Sequence, residues 1–213
     1  MLVGERMSKP VITIHPEVPI AEALNMMKVE KVRRFPVVKE GKLVGMVSDK
    51  DLLNASPSPV STLSIWEMTY LLNKISVSEV MVKNVMTVTE DTPIEQAARI
   101  MADNKIGGLP VLRNGSVVGI ITETDLFKLF LEILGAREMG IRVTVLVSEK
   151  PGTLAKMTKA IAEAGGDLTA FGMFTGKDSS NRMVTFKVSG LSLDDLKKAI
   201  TPEVKEIVDI RTT

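Results

Sequence analysis

Two stretches of the chain place the same kinds of side chain in the same order: Gly45-Met46-Val47-Ser48-Asp49-Lys50-Asp51-Leu52 and Gly119-Ile120-Ile121-Thr122-Glu123-Thr124-Asp125-Leu126. In each, a glycine leads through two apolar residues to a hydroxyl side chain, and an aspartate follows three places later. A hydroxyl followed at that spacing by an acid is the pattern of a helix capping box, which stabilises a helix start by about 1 kcal/mol in any protein. A chemical reading is also available. Exposed amides at a helix N-terminus, beside a hydroxyl, form an anion site suited to phosphate, and an aspartate one turn into the helix can accept hydrogen bonds from a ribose diol. One copy alone favours the cap. Two copies at one offset, each with an upstream Phe-Pro-Val or Leu-Pro-Val segment, favour the chemical reading.

The elements that must hold these residues repeat as well. At a constant offset of some seventy-odd residues, Val3, Glu5 and Met7 fall on Val77, Glu79 and Met81, Thr13 on Thr87, Pro19-Ile20 on Pro93-Ile94, Met27 on Met101, and Pro36-Val37 on Pro110-Val111, with no insertion. A gapless match of that length marks duplicated structural units. Hydrophobic spacing predicts β-α-β-β-α in each copy. The strands are Val11–Ile14, Phe35–Val38 and Leu43–Val47 in the first, and Val85–Val88, Leu109–Leu112 and Val117–Ile121 in the second. The helices start at Ile20 and Ile94, and tight turns fall at Glu40-Gly41-Lys42 and Asn114-Gly115. Neither copy is large enough to be comfortable alone, so the two are expected to pack face to face about a pseudo-twofold axis. Between them, residues 61–76 read as a connecting helix with Leu63, Trp66, Tyr70 and Leu71 on one face. After Leu126 the helix runs on to about Leu134, and a new pattern of β-α-β-β-α-β order fills residues 140–213. The fold class is α/β (α+β), divided as 1–60, 61–76, 77–135 and 140–213.

Composition narrows the functions. Lys plus Arg total 27 against 26 Asp plus Glu, so there is no broad electrostatic footprint for nucleic acid or an anionic membrane. The absence of cysteine excludes disulfides, thiolate metal sites and a cysteine nucleophile. No apolar run approaches the roughly 18 residues of a membrane span, and the first residues lack a signal-peptide core, so the expected location is cytoplasmic. His15, the only histidine, has no partner to orient it as a catalytic base, and there is no P-loop, so neither an enzyme, a metal site nor a resident cofactor is expected.

Residues 1 to about 134 resemble a tandem pair of CBS domains, a Bateman module. The remainder resembles an ACT domain through Glu149-Lys150-Pro151-Gly152-Thr153-Leu154 and Gly165-Gly166-Asp167-Leu168. The combination is similar to acetoin-utilisation (AcuB-like) regulatory proteins. What the CBS resemblance implies is two adenosine-ligand clefts between the repeats, with AMP, ADP or ATP as regulatory ligand. Asp51 and Asp125 would hold ribose hydroxyls, Ser48 and Thr122 would meet phosphate, Thr13 and Thr87 would border the clefts, and Arg34-Phe35-Pro36 and Gly108-Leu109-Pro110 would flank adenine. The ACT resemblance implies a homodimer and a small-molecule site at Glu149, Lys150 and Gly152, where the usual aspartate before the Pro-Gly turn is replaced by Glu149.

The copies differ where charge matters. Arg33-Arg34 corresponds to Gly107-Gly108, and Lys50 to Thr124. The first site is therefore expected to carry its own cations and favour more phosphorylated ligands, the second being either structural or open to a less charged ligand. The expected function is a non-enzymatic sensor acting on a regulated partner. The alternatives are a ligand-independent dimeric adaptor, or a sensor of amino acids or S-adenosyl ligands, since a ribose-binding aspartate does not read the 5′ substituent.

Overall fold

The computed structural model describes residues 1–55 and 73–213; the expected helix face of Leu63, Trp66, Tyr70 and Leu71 lies outside the described residues. The first copy folds as α1 (Val3–Arg6), α2 (Ile20–Val29), β1 (Arg34–Lys39), β2 (Lys42–Ser48) and α3 (Asp49–Asn54). The second folds as α4 (Val77–Val80), β3 (Val88–Thr89), α5 (Ile94–Asn104), β4 (Gly108–Arg113), β5 (Ser116–Thr122) and α6 (Glu123–Ile133). Buried residues recur at helical spacing on matched faces, Ile20, Ala23 and Met27 on α2 and Ile94, Ala97 and Met101 on α5. Both hairpins turn through two residues of positive φ, Glu40-Gly41 and Asn114-Gly115, a geometry whose twist suits the flanking strands. Their registers agree place for place. Arg34 lies opposite Ser48 and Gly108 opposite Thr122, and a bulge interrupts each ladder, at Val37/Val38 and at Val111/Leu112.

The leading segment of each copy packs on the other copy. Val3 N–H and Gly4 N–H donate to Thr92 O and Glu90 O, and Ser8 bridges Ile120. In the same pattern, Val77 N–H and Ser78 N–H donate to Val18 O and Pro16 O, and Val82 bridges Met46. Val77 accordingly belongs to the core that holds Ile14, Ile20, Ala23, Met27, Phe35, Val37, Val47 and Leu52. This exchange explains the motif glycines: a Cβ on Gly45 would lie 2.4 Å from Met81 Sδ, and one on Gly119 2.4 Å from Met7 Sδ. It also corrects the two expected first strands. Residues 9–13 cross from Ser8, paired with the second copy, to Ile14, which bridges Val37 of the first, so among the described residues they have no strand neighbour and the strand shrinks to that one bridge. The crossing from Val82 leaves only Val88 and Thr89 in β3, parallel to β4.

The chain divides into two compact units, Met1–Leu126 and Phe127–Thr213, with the division inside α6. The second unit continues as β6 (Ile141–Ser148), α7 (Thr153–Glu163), β7 (Asp167–Thr175), β8 (Asn181–Ser189), α8 (Leu193–Ile200) and β9 (Glu206–Thr212). Its four-stranded sheet runs β7-β8-β6-β9, all pairs antiparallel, in the expected β-α-β-β-α-β order. Alternation sends Val143, Val145 and Val147 of β6 and Val184, Phe186 and Val188 of β8 into one core with Met157 and Ile161 of α7 and Leu196 and Ile200 of α8. On the other face, Thr144 and Thr185 are buried and joined through their hydroxyls at 3.0 Å, and Lys187 Nζ donates to Glu138 O at 2.7 Å.

Candidate functional site

The capping box forms in full in the first copy, and the second shows the bonds from its hydroxyl residue to the aspartate. Ser48 N–H and Oγ–H both donate to Asp51 Oδ2, at 2.9 and 2.6 Å, and Asp51 N–H donates back to Ser48 Oγ at 3.3 Å. Thr122 N–H and Oγ1–H donate to Asp125 Oδ2 at 2.9 and 2.7 Å. The adjacent amides are engaged too. Asp49 N–H donates to Arg33 O at 2.9 Å and Lys50 N–H to Asp49 Oδ1 at 2.8 Å. The open amides that the sequence suggested for a phosphate are thus taken up within the first turn of α3, and the Ser48 proton already points at Asp51. An anion entering here would meet side chains rather than open amides. Among the described residues Asp51 Oδ1 has no hydrogen-bond partner, so this carboxylate keeps acceptor capacity for a diol.

A cavity of about 720 Å³ opens over this turn, within the usual range for small-molecule sites. Its wall takes Arg33, Arg34, Met46, Ser48, Asp49, Lys50 and Asp51 from the first copy, the crossing residues Val82, Asn84, Val85 and Met86, and Asn104 to Gly108 from the second. The strand register explains the convergence: pairing Arg34 with Ser48 sets a guanidinium beside the helix cap. Four cations, Arg33, Arg34, Lys50 and Lys105, face a wall whose acids are Asp49 and Asp51. Burial pushes the Arg34 guanidinium below its usual value; Glu123 opposes that shift, Arg33 adds to it, and Asp49 and Asp51 oppose it.

Of the residues singled out in the sequence, Arg33, Arg34, Ser48, Asp51 and Gly108 meet at this cavity. Phe35 and Leu109 are wholly buried in the cores of their copies, with Pro36 and Pro110 buried beside them, so the strand starts reach the cavity as Arg34 and Gly108. Thr13 is exposed and Thr122 and Asp125 are half-buried, all three outside the wall, while Thr87 lines a separate cavity of about 700 Å³ with Lys42, Lys83 and Ser116. Sequence reasoning passed over Asn84, Asn104 and Lys105. The exchange of leading segments brings the first of these in, and it has no signature in spacing alone.

In the C-terminal unit, Glu149 and Lys150 line a smaller cavity of about 310 Å³ with Met173 and Arg182. Arg182 Nε donates to the Glu149 carboxylate, so that acid is engaged within the protein. Gly152 caps α7 with φ +84° and stays out of the wall. Among the described residues no group of three or more acids or histidines could hold a metal ion, and no helix is long and apolar enough to cross a membrane.

Residues 3–58 and 77–132 match the profile of the CBS domain. The chain belongs to the CBS domain family. Its two CBS copies are the two repeats described above. A CBS domain-containing protein of Dictyostelium discoideum is 33% identical over 136 residues, 63% of this chain and 94% of that one. The L-aspartate semialdehyde sulfurtransferase of Methanocaldococcus jannaschii is 34% identical over 131 residues, but the match spans only 23% of that enzyme. Among solved structures, the CBS domain pair of protein MJ0100, in complex with 5′-methylthioadenosine and S-adenosyl-L-methionine, superposes with a TM-score of 0.52 at 33% identity, over 65% of this chain and 98% of that one. CBSX2 in complex with AMP gives 0.53 at 29% identity, over 62% and 97%. A putative acetoin utilization protein (AcuB) from Vibrio cholerae gives 0.53 at 28%, over 64% and 95%.

Proposed function

We propose that the CBS pair is a regulatory sensor that takes an adenosine-bearing ligand into the 720 Å³ cavity, with the ribose diol on Asp51 and a 5′ phosphate among Arg33, Arg34 and Lys50. The observation that carries this reading is the placement of Asp51, with an oxygen open, beside a cluster of cations in one cavity between the two copies. The relatives solved with AMP and with S-adenosyl ligands support the adenosine class, and the cations favour a nucleotide over an uncharged nucleoside. Asp125 with Thr122 forms the corresponding lesser site, structural or suited to a less charged ligand.

On this reading the chain comprises repeat 1 at 1–60, a connector at 61–76, repeat 2 at 77–135 and an ACT domain at 140–213. The ACT assignment rests on the β-α-β-β-α-β order and on the Glu149–Leu154 turn. Its part is to dimerise and to pass occupancy, through α6, to a protein partner in the cytoplasm, as befits an AcuB-like regulator. Calorimetric titration of AMP, ADP, ATP and S-adenosylmethionine tests the sensor. Asp51→Ala is expected to weaken nucleotide binding about tenfold or more, the loss of charge-assisted hydrogen bonds to the diol, and Asp125→Ala to weaken it less. Equal affinity in wild type and in the double variant would leave the chain a ligand-independent adaptor.

A further inference from the structure

The arginine pair does not simply belong to the first copy. Seventy-four places separate every matched residue of the two copies, so the counterpart of Arg34 is Gly108. A Cβ placed on Gly108 would lie 3.1 Å from Arg34 Cδ and 3.2 Å from Nη1, so Arg34 rests against its own counterpart. With Arg34 in this position, a side chain at Gly108 would have to displace it. Gly107 completes the notch. A Cβ there would come 2.4 Å from Arg34 Nη2, 2.6 Å from Nη1 and 2.7 Å from Glu123 Oε2. The glycine pair is therefore the space that receives Arg34, and the guanidinium reaches over it toward a carboxylate of the second copy.

That carboxylate acts on Arg34 through space rather than by direct pairing: among the described residues no hydrogen bond or ion pair of Arg34 is formed, while Glu123 is the strongest of the charges that stabilise its cation. Glu123 is the first residue of α6, and its own N–H is held by Gly107 O at 3.2 Å. The same guanidinium lines the cavity beside Ser48 and Asp51. An oxyanion entering there meets a cation that already feels the charge of an acid from the second copy.

We infer that Arg34 sets the preference of the cavity for a 5′-phosphorylated ligand and that Glu123 of the second copy competes with the phosphate for it, so that occupancy is read at the first turn of α6. This rests on the reading of the cavity as an adenosine site. A phosphate that draws the guanidinium toward Ser48 takes its charge away from Glu123, and a neutral 5′ substituent does not. Phosphate selectivity thus resides in one arginine and one glutamate from opposite copies, and the ribose contact at Asp51 is independent of both.

The test is titration of the full chain with AMP and with 5′-methylthioadenosine, which carry a phosphate and a neutral methylthio group at the 5′ position respectively. Arg34→Ala is expected to weaken AMP about tenfold, the order of a lost charge-assisted hydrogen bond, and to leave 5′-methylthioadenosine within twofold. Glu123→Gln is expected to strengthen AMP a few-fold with no change for the neutral ligand. Should Arg34→Ala not fold, as judged by its melting curve, Arg34→Lys serves, losing AMP affinity selectively but by less. Equal losses for both ligands make Arg34 structural and overturn the inference, as does a Glu123→Gln protein with unaltered AMP affinity. If wild type binds 5′-methylthioadenosine but the ratio to AMP is indifferent to Arg34, the adenosine site stands and only this assignment falls; if wild type binds neither, both fall together.

Discussion

The two CBS copies share their backbone down to hairpin turns and bulges, yet one carries Arg33-Arg34 where the other has Gly107-Gly108. The difference is concentrated where the first copy meets the second, and there the Arg34 side chain fills the space that a side chain on Gly107 or Gly108 would need. What the copies keep in common, by contrast, is what builds them: the capping box, the apolar faces of α2 and α5, and the motif glycine under an exchanged methionine.

If that is right, scaffold substitutions should act alike in both copies. The largest effect is expected from the matched core residues Phe35 and Leu109, both fully buried. Phe35→Ala should cost about 3–5 kcal/mol and Leu109→Ala about 2–5 kcal/mol of unfolding free energy, measured by denaturant titration. A large loss in one copy and none in the other would break the equivalence. Next come the motif glycines. Gly45→Val and Gly119→Val would each drive a side chain into a methionine of the exchanged segment, and each is expected to cost roughly 1–3 kcal/mol as overpacking. Rescue of Gly45→Val by Met81→Ala, and of Gly119→Val by Met7→Ala, would sharpen the case for exchange.

The smallest effect separates the copies again. At the matched hairpin ends, Arg113 grips Glu90 through two nitrogens at 2.5 and 2.6 Å, while Lys39 reaches only Glu17, at 3.8 Å. The hydrogen bond from Arg113 lowers the Glu90 carboxyl below its usual value. A carboxyl depressed by folding contributes stability that is fully present above its unfolded value, near 4.3, and is lost as pH falls through the lower folded one. Arg113→Gln should therefore flatten the acid limb of the stability profile slightly, and Lys39→Gln should leave it unchanged, as expected for exposed pairs.

Much of this was readable in the chain. The constant offset gave the duplication, and the spacing of Ile20, Ala23 and Met27 gave the buried face of α2, since side-chain periodicity depends on local geometry alone. The β-α-β-β-α-β order of the C-terminal unit followed from the same alternation. The exchange of leading segments did not, because matching Val3 to Val77 says that two segments are alike and not which copy each one covers. For that reason Val11–Ile14 was expected as a strand when it is a crossing. Likewise the amides of Asp49 and Lys50 were expected open, and only the folded turn shows Arg33 O and the Asp49 carboxylate engaging them. The contrast of Arg34 with Gly108 was visible in the sequence, but its meaning was not, since two residues seventy-four places apart come into contact only through the pairing of the copies.

The most direct measurement is a crystal structure of the full chain grown with saturating AMP. The ribose hydroxyls are expected on Asp51 and the phosphate within hydrogen-bonding distance of Arg34, in the cavity shared by Ser48, Lys50 and Gly107. AMP bound instead against Thr122 and Asp125 with Arg34 still turned to Glu123, or a cavity without nucleotide, would contradict the account.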